Sequence, residues 1–184
     1  MARTPSNMMP LGTKAPDFTL PNAVTGETVT IADAKSDVAT VIMFICNHCP
    51  YVKLVNGQLV QLANDYQPKG VSFIAINAND VVNYPDDSPE KMKEAAQQLG
   101  YSFPYLYDES QEVAKAYQAA CTPDFFLFDK DLKCVYRGQL DDARPNSNTP
   151  TTGKDIRDAL DAILAGNPVN PEQKPSIGCN IKWK

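Results

Sequence analysis

The stretch Phe44–Val52, FICNHCPYV, holds Cys46 and Cys49 with two residues between them, one of which is His48, the only histidine of the chain. Upstream, Val38–Ile45 is almost wholly apolar and rich in β-branched residues, without alternation. That pattern marks a central strand covered on both faces. Downstream, Val52, Val55, Leu59, Leu62 and Tyr66 recur at steps of three and four residues and build one apolar helical stripe. The cysteine pair therefore lies between the carboxyl end of a buried strand and the N-terminus of a helix. Free backbone N–H groups and the positive end of the helix dipole favour thiolate over thiol there. Such a pair suits a redox dithiol, part of a metal site, or a peroxide-reducing site. The two-residue gap lets the sulfurs bond to each other. On this geometry Cys46 is the more exposed thiol and attacks, while Cys49, one turn into the helix, resolves. His48 adds a donor or a positive charge beside the thiolate; its alternative role is a solvated loop residue.

Outward from this unit, Asp17–Leu20 and Glu27–Ile31 read as two short strands around Pro21, Asn22 and Gly26, an N-terminal hairpin. Pro68 and Gly70 end the first helix, and Val71–Ala78 is a second buried strand. Ser88-Pro89-Glu90 starts a helix whose buried face is Met92, Ala95, Ala96 and Leu99, with Gly100 after its end. Phe103–Tyr107 is extended, and Gln111–Tyr117 is a short helix. Asp124–Phe128 and Lys133–Arg137 form an antiparallel pair across a tight turn. Asp141–Thr152 is a polar loop before a last helix at Lys154–Ala165. The order predicts an α/β fold: a mixed central sheet flanked by helices, with a right-handed parallel crossover near its start.

The 184 residues suit one domain covering 1–184. Residues 1–12 read as loose, and 167–184, with three prolines and no period, as an extended tail that frays or lies along the surface. Apolar content of 43% and charged content of 21% match neither a disordered nor a membrane chain. The net charge of −5 gives no reason to expect nucleic acid or an anionic membrane as partner. No apolar signal segment follows MARTPSNMMP, and the longest apolar run is about half the length a membrane span needs. The expected compartment is the cytoplasm, where thiols stay reduced, and the odd count of five cysteines agrees.

Strand, CxxC and helix, followed by Cys121-Thr122-Pro123 leading into the strand FFLF, resemble the thioredoxin superfamily. The resemblance implies a thioredoxin-like fold in which Pro123 is a cis-proline packed against the cysteine pair. It also implies that Thr122 offers backbone groups to a bound peptide. PLGTKAPDFTLPN is similar to the peroxiredoxin and thiol-specific-antioxidant branch. Together with FICNHCPYVK, AINAND and SIGCNIKWK, it resembles the peroxiredoxin-like redoxins from about Leu11 to the end. Two departures stand out. The peroxiredoxin pattern Pro-x-x-x-Thr/Ser-x-x-Cys, counted from Cys49, meets Ile42 and Cys46 instead of Pro and Thr/Ser. The buried Asp and the Lys of thioredoxins are replaced by Thr40 and Ala75.

The leading expectation is a thiol-disulfide oxidoreductase that needs no cofactor. Its catalytic set is Cys46, Cys49, His48, Thr122 and Pro123, and its partners are a disulfide or dithiol substrate and a redox partner. One alternative is a copper carrier using Cys46, Cys49 and His48, since soft thiolates suit Cu(I). Zinc fits poorly, because a structural site commonly uses two such pairs. Another alternative is a thiol peroxidase with Cys49 reactive. Cys121, beside the cis-proline loop, is either a third redox thiol or a small buried side chain; Cys134 reads as core. Cys179 either folds back to resolve a disulfide or is an exposed inert thiol. Loop Asn83–Glu90 and the tail are the expected specificity elements.

Overall fold

The structure, a computed structural model, describes residues 3–184. In chain order the elements are β1 (Arg3–Pro5), β2 (Thr19–Pro21), β3 (Thr28–Thr30), α1 (Ile31–Ala34), β4 (Ala39–Phe44), α2 (Pro50–Tyr66) and β5 (Val71–Asn77). There follow α3 (Pro89–Leu99), β6 (Tyr105–Tyr107), α4 (Glu112–Ala116), β7 (Cys121–Thr122), β8 (Asp124–Asp129), β9 (Cys134–Gly138), α5 (Lys154–Leu164) and β10 (Ile177–Asn180). Among the described residues, no helix is long and apolar enough to cross a membrane.

The main sheet has the order β6-β5-β4-β8-β9. β4 pairs with β5 in parallel and with β8 antiparallel, so Phe44 stands between Ile76 and Asp124. This is the expected mixed sheet. Every residue of β4 is buried, and its alternation serves two cores. Val41 and Met43 pack in one cluster with Val52, Leu59 and Leu62 of α2 and Leu160 of α5. Ile42 and Phe44 pack in the other with Phe18, Ile31, Tyr117 and Phe126. A strand with apolar neighbours on both faces has no polar side to show, which is why its sequence lacks a period of two.

Boundaries shift where a side chain caps a helix. The expected strand Glu27–Ile31 ends at Thr30, whose Oγ1 accepts the Asp33 N–H at 3.1 Å and starts α1. Ser88 caps α3 through the Lys91 N–H, and Gly100 closes it at φ 75°.

Both chain ends differ from expectation. A second sheet has the order β1-β10-β7, so the tail strand is paired along both edges. Arg3 faces Cys179 and Pro5 faces Ile177, so residues 3–5 of the supposedly loose segment are ordered; residues 1 and 2 lie outside the described residues. On its other edge, Cys179 faces Thr122 and Asn180 faces Cys121. Gly178 makes this approach possible, because a Cβ there would lie 2.0 Å from the Thr122 carbonyl oxygen. The tail is thus extended as expected, yet Ile181 and Cys179 are buried and it neither frays nor lies on the surface at that point. Its polar anchors are the bonds from Asp80 N to Lys182 O, 2.8 Å, and from Lys182 N to Asn79 Oδ1, 2.9 Å.

Candidate active site

β4 ends at Phe44, and the Ile45 N–H still donates to Ile76 O at 3.0 Å. The chain then bends through Cys46–His48, and α2 begins only at Pro50. Pro50 is pre-set for the first helical position, where no N–H is needed. Cys49 is therefore the N-cap, its carbonyl accepting the Val52 and Lys53 N–H groups. This corrects the expectation that Cys49 lies one turn inside the helix. It is the residue closest to the positive helix end.

Both thiols are free and buried, Cys46 at 3% and Cys49 at 0% exposure. The Thr122–Pro123 bond is cis, and Thr122 spans the pair. Its Oγ1 is 3.3 Å from Cys46 Sγ, and its carbonyl oxygen is 3.3 Å from Cys49 Sγ. The Cys49 thiol is pushed down to about 5, first by the hydrogen bond from the Cys46 thiol. A bond from the Cys179 thiol and the backbone N–H groups of Val52 and Cys179 assist against the cost of burial. Cys46 moves the other way, held well above the usual thiol range by its bond to Cys49, by burial and by the Asp87 charge. Of the two, Cys49 is the one favoured toward thiolate, and when protonated its S–H donates to the Thr122 carbonyl oxygen. The thiol that is lowered is Cys49, at the helix end, and not Cys46, the more exposed thiol expected to attack.

His48 is not a solvated loop residue. Its side chain is 17% exposed, and Nδ1 lies 2.5 Å from Asp87 Oδ2. The ring stacks on Tyr84 at 5.7 Å between centroids and 11° between planes. The bond to Asp87 raises the His48 pKa and favours imidazolium. Asp87 is fully buried. It accepts from Asn47 N at 2.6 Å, Asn79 Nδ2 at 2.9 Å and Asn77 Nδ2 at 3.3 Å, and its pKa is lowered against the cost of burial by the bonds from His48 and Asn79. Cys46 Sγ, a His48 ring nitrogen and an Asp87 oxygen all lie within 4.8 Å of one another.

The sequence reading missed Asp87, Asn77 and Asn79. Asp87 stands in a polar run, DDSPE, where burial leaves no local mark. The available signal was AINAND: Asn77 and Asn79 are two apart on a strand end, so they reach one partner. Of the other cysteines, Cys121 and Cys134 are buried, and burial raises both thiols, Cys134 to about 11. Cys179 is 2% exposed and packs with Cys46 and Cys49, so the exposed inert thiol is ruled out. Thr122, expected to offer its backbone to a peptide, already pairs with Cys179.

Several known proteins are similar to this chain. An uncharacterized conserved protein from Geobacillus kaustophilus has 68% identity and a TM-score of 0.99, over 100% of this chain and 97% of that one. The thiol-disulfide oxidoreductase ResA of Bacillus thuringiensis (strain Al Hakam) is 28% identical over 127 residues, 69% of this chain and 68% of the relative. The thioredoxin domain of a thiol-disulfide oxidoreductase from Bacteroides vulgatus superposes with a TM-score of 0.62 at 20% identity, over 73% of this chain and 91% of that domain. It shows the thioredoxin-like fold. The AhpC/TSA family model matches residues 11–137, a span that takes in both site cysteines, Asp87 and the Thr122–Pro123 bond. By that match the chain belongs to the AhpC/TSA family.

Proposed function

We propose that this protein is a thiol-disulfide oxidoreductase working through the Cys46–Cys49 dithiol. The observation that carries the reading is the pair itself: two buried thiols at a helix end, spanned by Thr122 before a cis-proline. The relationship to proteins named as thiol-disulfide oxidoreductases supports it.

The steps take Cys46 as the thiol and Cys49 as the thiolate of the reduced pair. Cys46, nearer the rim, passes its proton to the Cys49 thiolate as it attacks a sulfur of the substrate disulfide. The Cys46–substrate bond forms and the substrate S–S bond breaks. The first product leaves as a thiolate and takes a proton from the His48 imidazolium, which Asp87 holds in place. Cys49, now a thiol whose S–H faces the Thr122 carbonyl, attacks Cys46 Sγ. The internal disulfide forms, and the second product leaves with the Cys49 proton. Two electrons pass from the dithiol to the substrate, and the reverse sequence oxidises a dithiol.

The test uses the reduced protein with an aromatic disulfide, following thiol release, and hydrogen peroxide in parallel. The account predicts rapid release by the disulfide, level from neutral pH down to about 6. Below the Cys49 value of about 5, the rate falls about tenfold per pH unit as the last negative charge of the pair is lost. Faster thiol loss with peroxide than with disulfide would favour the peroxidase reading instead.

A metal-carrier reading has one observation in its favour, the cluster of Cys46, His48 and Asp87. This differs from the Cys46, Cys49 and His48 set expected for copper, because His48 turns toward the buried carboxylate. One equivalent of metal retained by the protein purified with its thiols reduced would support it.

A further inference from the structure

The C-terminal strand brings a third thiol to the reactive pair. β10 runs between β1 and β7 and packs on α2, whose N-cap is Cys49. Cys179 faces Thr122 across the strand pair, and the carbonyl oxygen of Thr122 lies 3.3 Å from Cys49 Sγ. The thiol and backbone N–H of Cys179 are among the groups that favour the thiolate of Cys49. Cys46, Cys49 and Cys179 are 3%, 0% and 2% exposed within one apolar cluster. The place where a bound peptide would pair with Thr122 is thus filled by the chain's own strand, which carries a cysteine.

We propose that Cys179 is a third catalytic thiol, which attacks Cys49 in the oxidised Cys46–Cys49 pair and moves the disulfide inward to Cys49–Cys179. This rests on the exchange chemistry proposed above. The Cys179–Cys49 bond forms, the Cys46–Cys49 bond breaks, and Cys46 leaves as a thiolate that takes the proton given up by Cys179. No electrons enter or leave, so no further oxidant or reductant is required. Thr122 Oγ1, 3.3 Å from Cys46 Sγ, is placed to donate to the leaving sulfur. In the reduced protein, burial and the bond to Cys49 hold the Cys179 thiol up at about 12. Oxidation of Cys49 removes that negative neighbour. The shift frees Cys46 at the rim while the disulfide stays in an enclosed position. One chain can then hold an oxidising equivalent and still offer a reactive thiol.

The test is disulfide mapping of the full chain, oxidised with diamide and quenched in acid. Cys46 and Cys49 fall between Lys35 and Lys53, so their own disulfide stays within one tryptic peptide, whereas a bond to Cys179 links two peptides. The account predicts the linked pair in the oxidised wild type and in Cys46→Ser, and its loss in Cys49→Ser and Cys179→Ala. The wild-type map stands even if the Cys46→Ser protein folds poorly. An oxidised wild type with no linked peptide, and Cys179 fully alkylated after denaturation, overturns the proposal. The Cys179→Ala protein separates the two readings: if it still forms the Cys46–Cys49 disulfide, the exchange reading stands, and if it does not, that reading fails as well.

Discussion

With Cys49→Ser, a disulfide substrate is expected to stop at the mixed disulfide on Cys46. Turnover should fall by at least about 1000-fold, the scale seen when a member of a catalytic unit is removed. Two effects combine. Serine cannot displace the product thiol, so the second step has no nucleophile. The first step slows too, because the sulfur that accepts the Cys46 proton is gone. Cys46→Ser should lose turnover as completely but accumulate no adduct, since Cys49 is fully enclosed and Cys46 is nearer the rim. Mass spectrometry of each variant mixed with a thiol-blocked peptide disulfide distinguishes them. The expected result is one added peptide on Cys49→Ser and none on Cys46→Ser. An adduct on Cys46→Ser alone would exchange the roles of the two cysteines.

Asp87→Asn should cost about 3 kcal/mol of stability at neutral pH, the lower end for a broken buried ion pair, because His48 is only partly buried. The carboxylate accepts from Asn47 N, Asn77 Nδ2, Asn79 Nδ2 and His48, so an amide NH₂ must face a donor. The pH dependence has a definite sign. His48 is raised on folding, so its share is complete below its ordinary value of 6.5 and fades as pH rises through the raised folded value. Asp87 is lowered, so its share is present above 3.8 and is lost as pH falls through the depressed folded value. The difference between wild type and variant is therefore largest in weakly acidic buffer and shrinks toward alkaline pH. Urea unfolding at a series of pH values measures it. The exchange rate should fall along with it, because His48 loses the group that keeps it charged. An exchange rate equal to wild type at every pH would remove His48 and Asp87 from the proton path.

What the chain revealed before folding depended on how local each signal was. β4 and β5 are unbroken apolar runs, and α2 and α3 carry helical stripes with cap residues, so their places were readable. Cys46, Cys49, His48, Thr122 and Pro123 were legible as a candidate set because a strand-to-helix junction and a Thr-Pro before a strand each show in a few consecutive residues. The start of α2 was misjudged because its apolar stripe begins at Val52, whereas the cap is set by Pro50. The tail was misjudged for a different reason. Pairing of Cys179 with Arg3 on one side and Thr122 on the other joins distant parts of the chain and leaves no period in SIGCNIKWK. Asp87 was hidden in the same way, since its burial depends on partners from Asn47 to Asn79 and not on its neighbours. Loop Asn83–Glu90 and the tail, expected to govern specificity, supply Asp87, Tyr84 and Cys179 to the site itself.

The central claim is that Cys46 and Cys49 form a reversible two-electron couple. Equilibrating the metal-free protein across glutathione buffers, with acid quenching and counting of free thiols, tests it most directly. The account predicts one transition of two thiols per chain that fits a single two-electron potential and is absent from Cys49→Ser. Its position against glutathione then gives the favoured direction of electron flow. If both thiols stay free at every ratio, the dithiol mechanism is contradicted, and the cluster of Cys46, His48 and Asp87 becomes the basis for a metal-binding role.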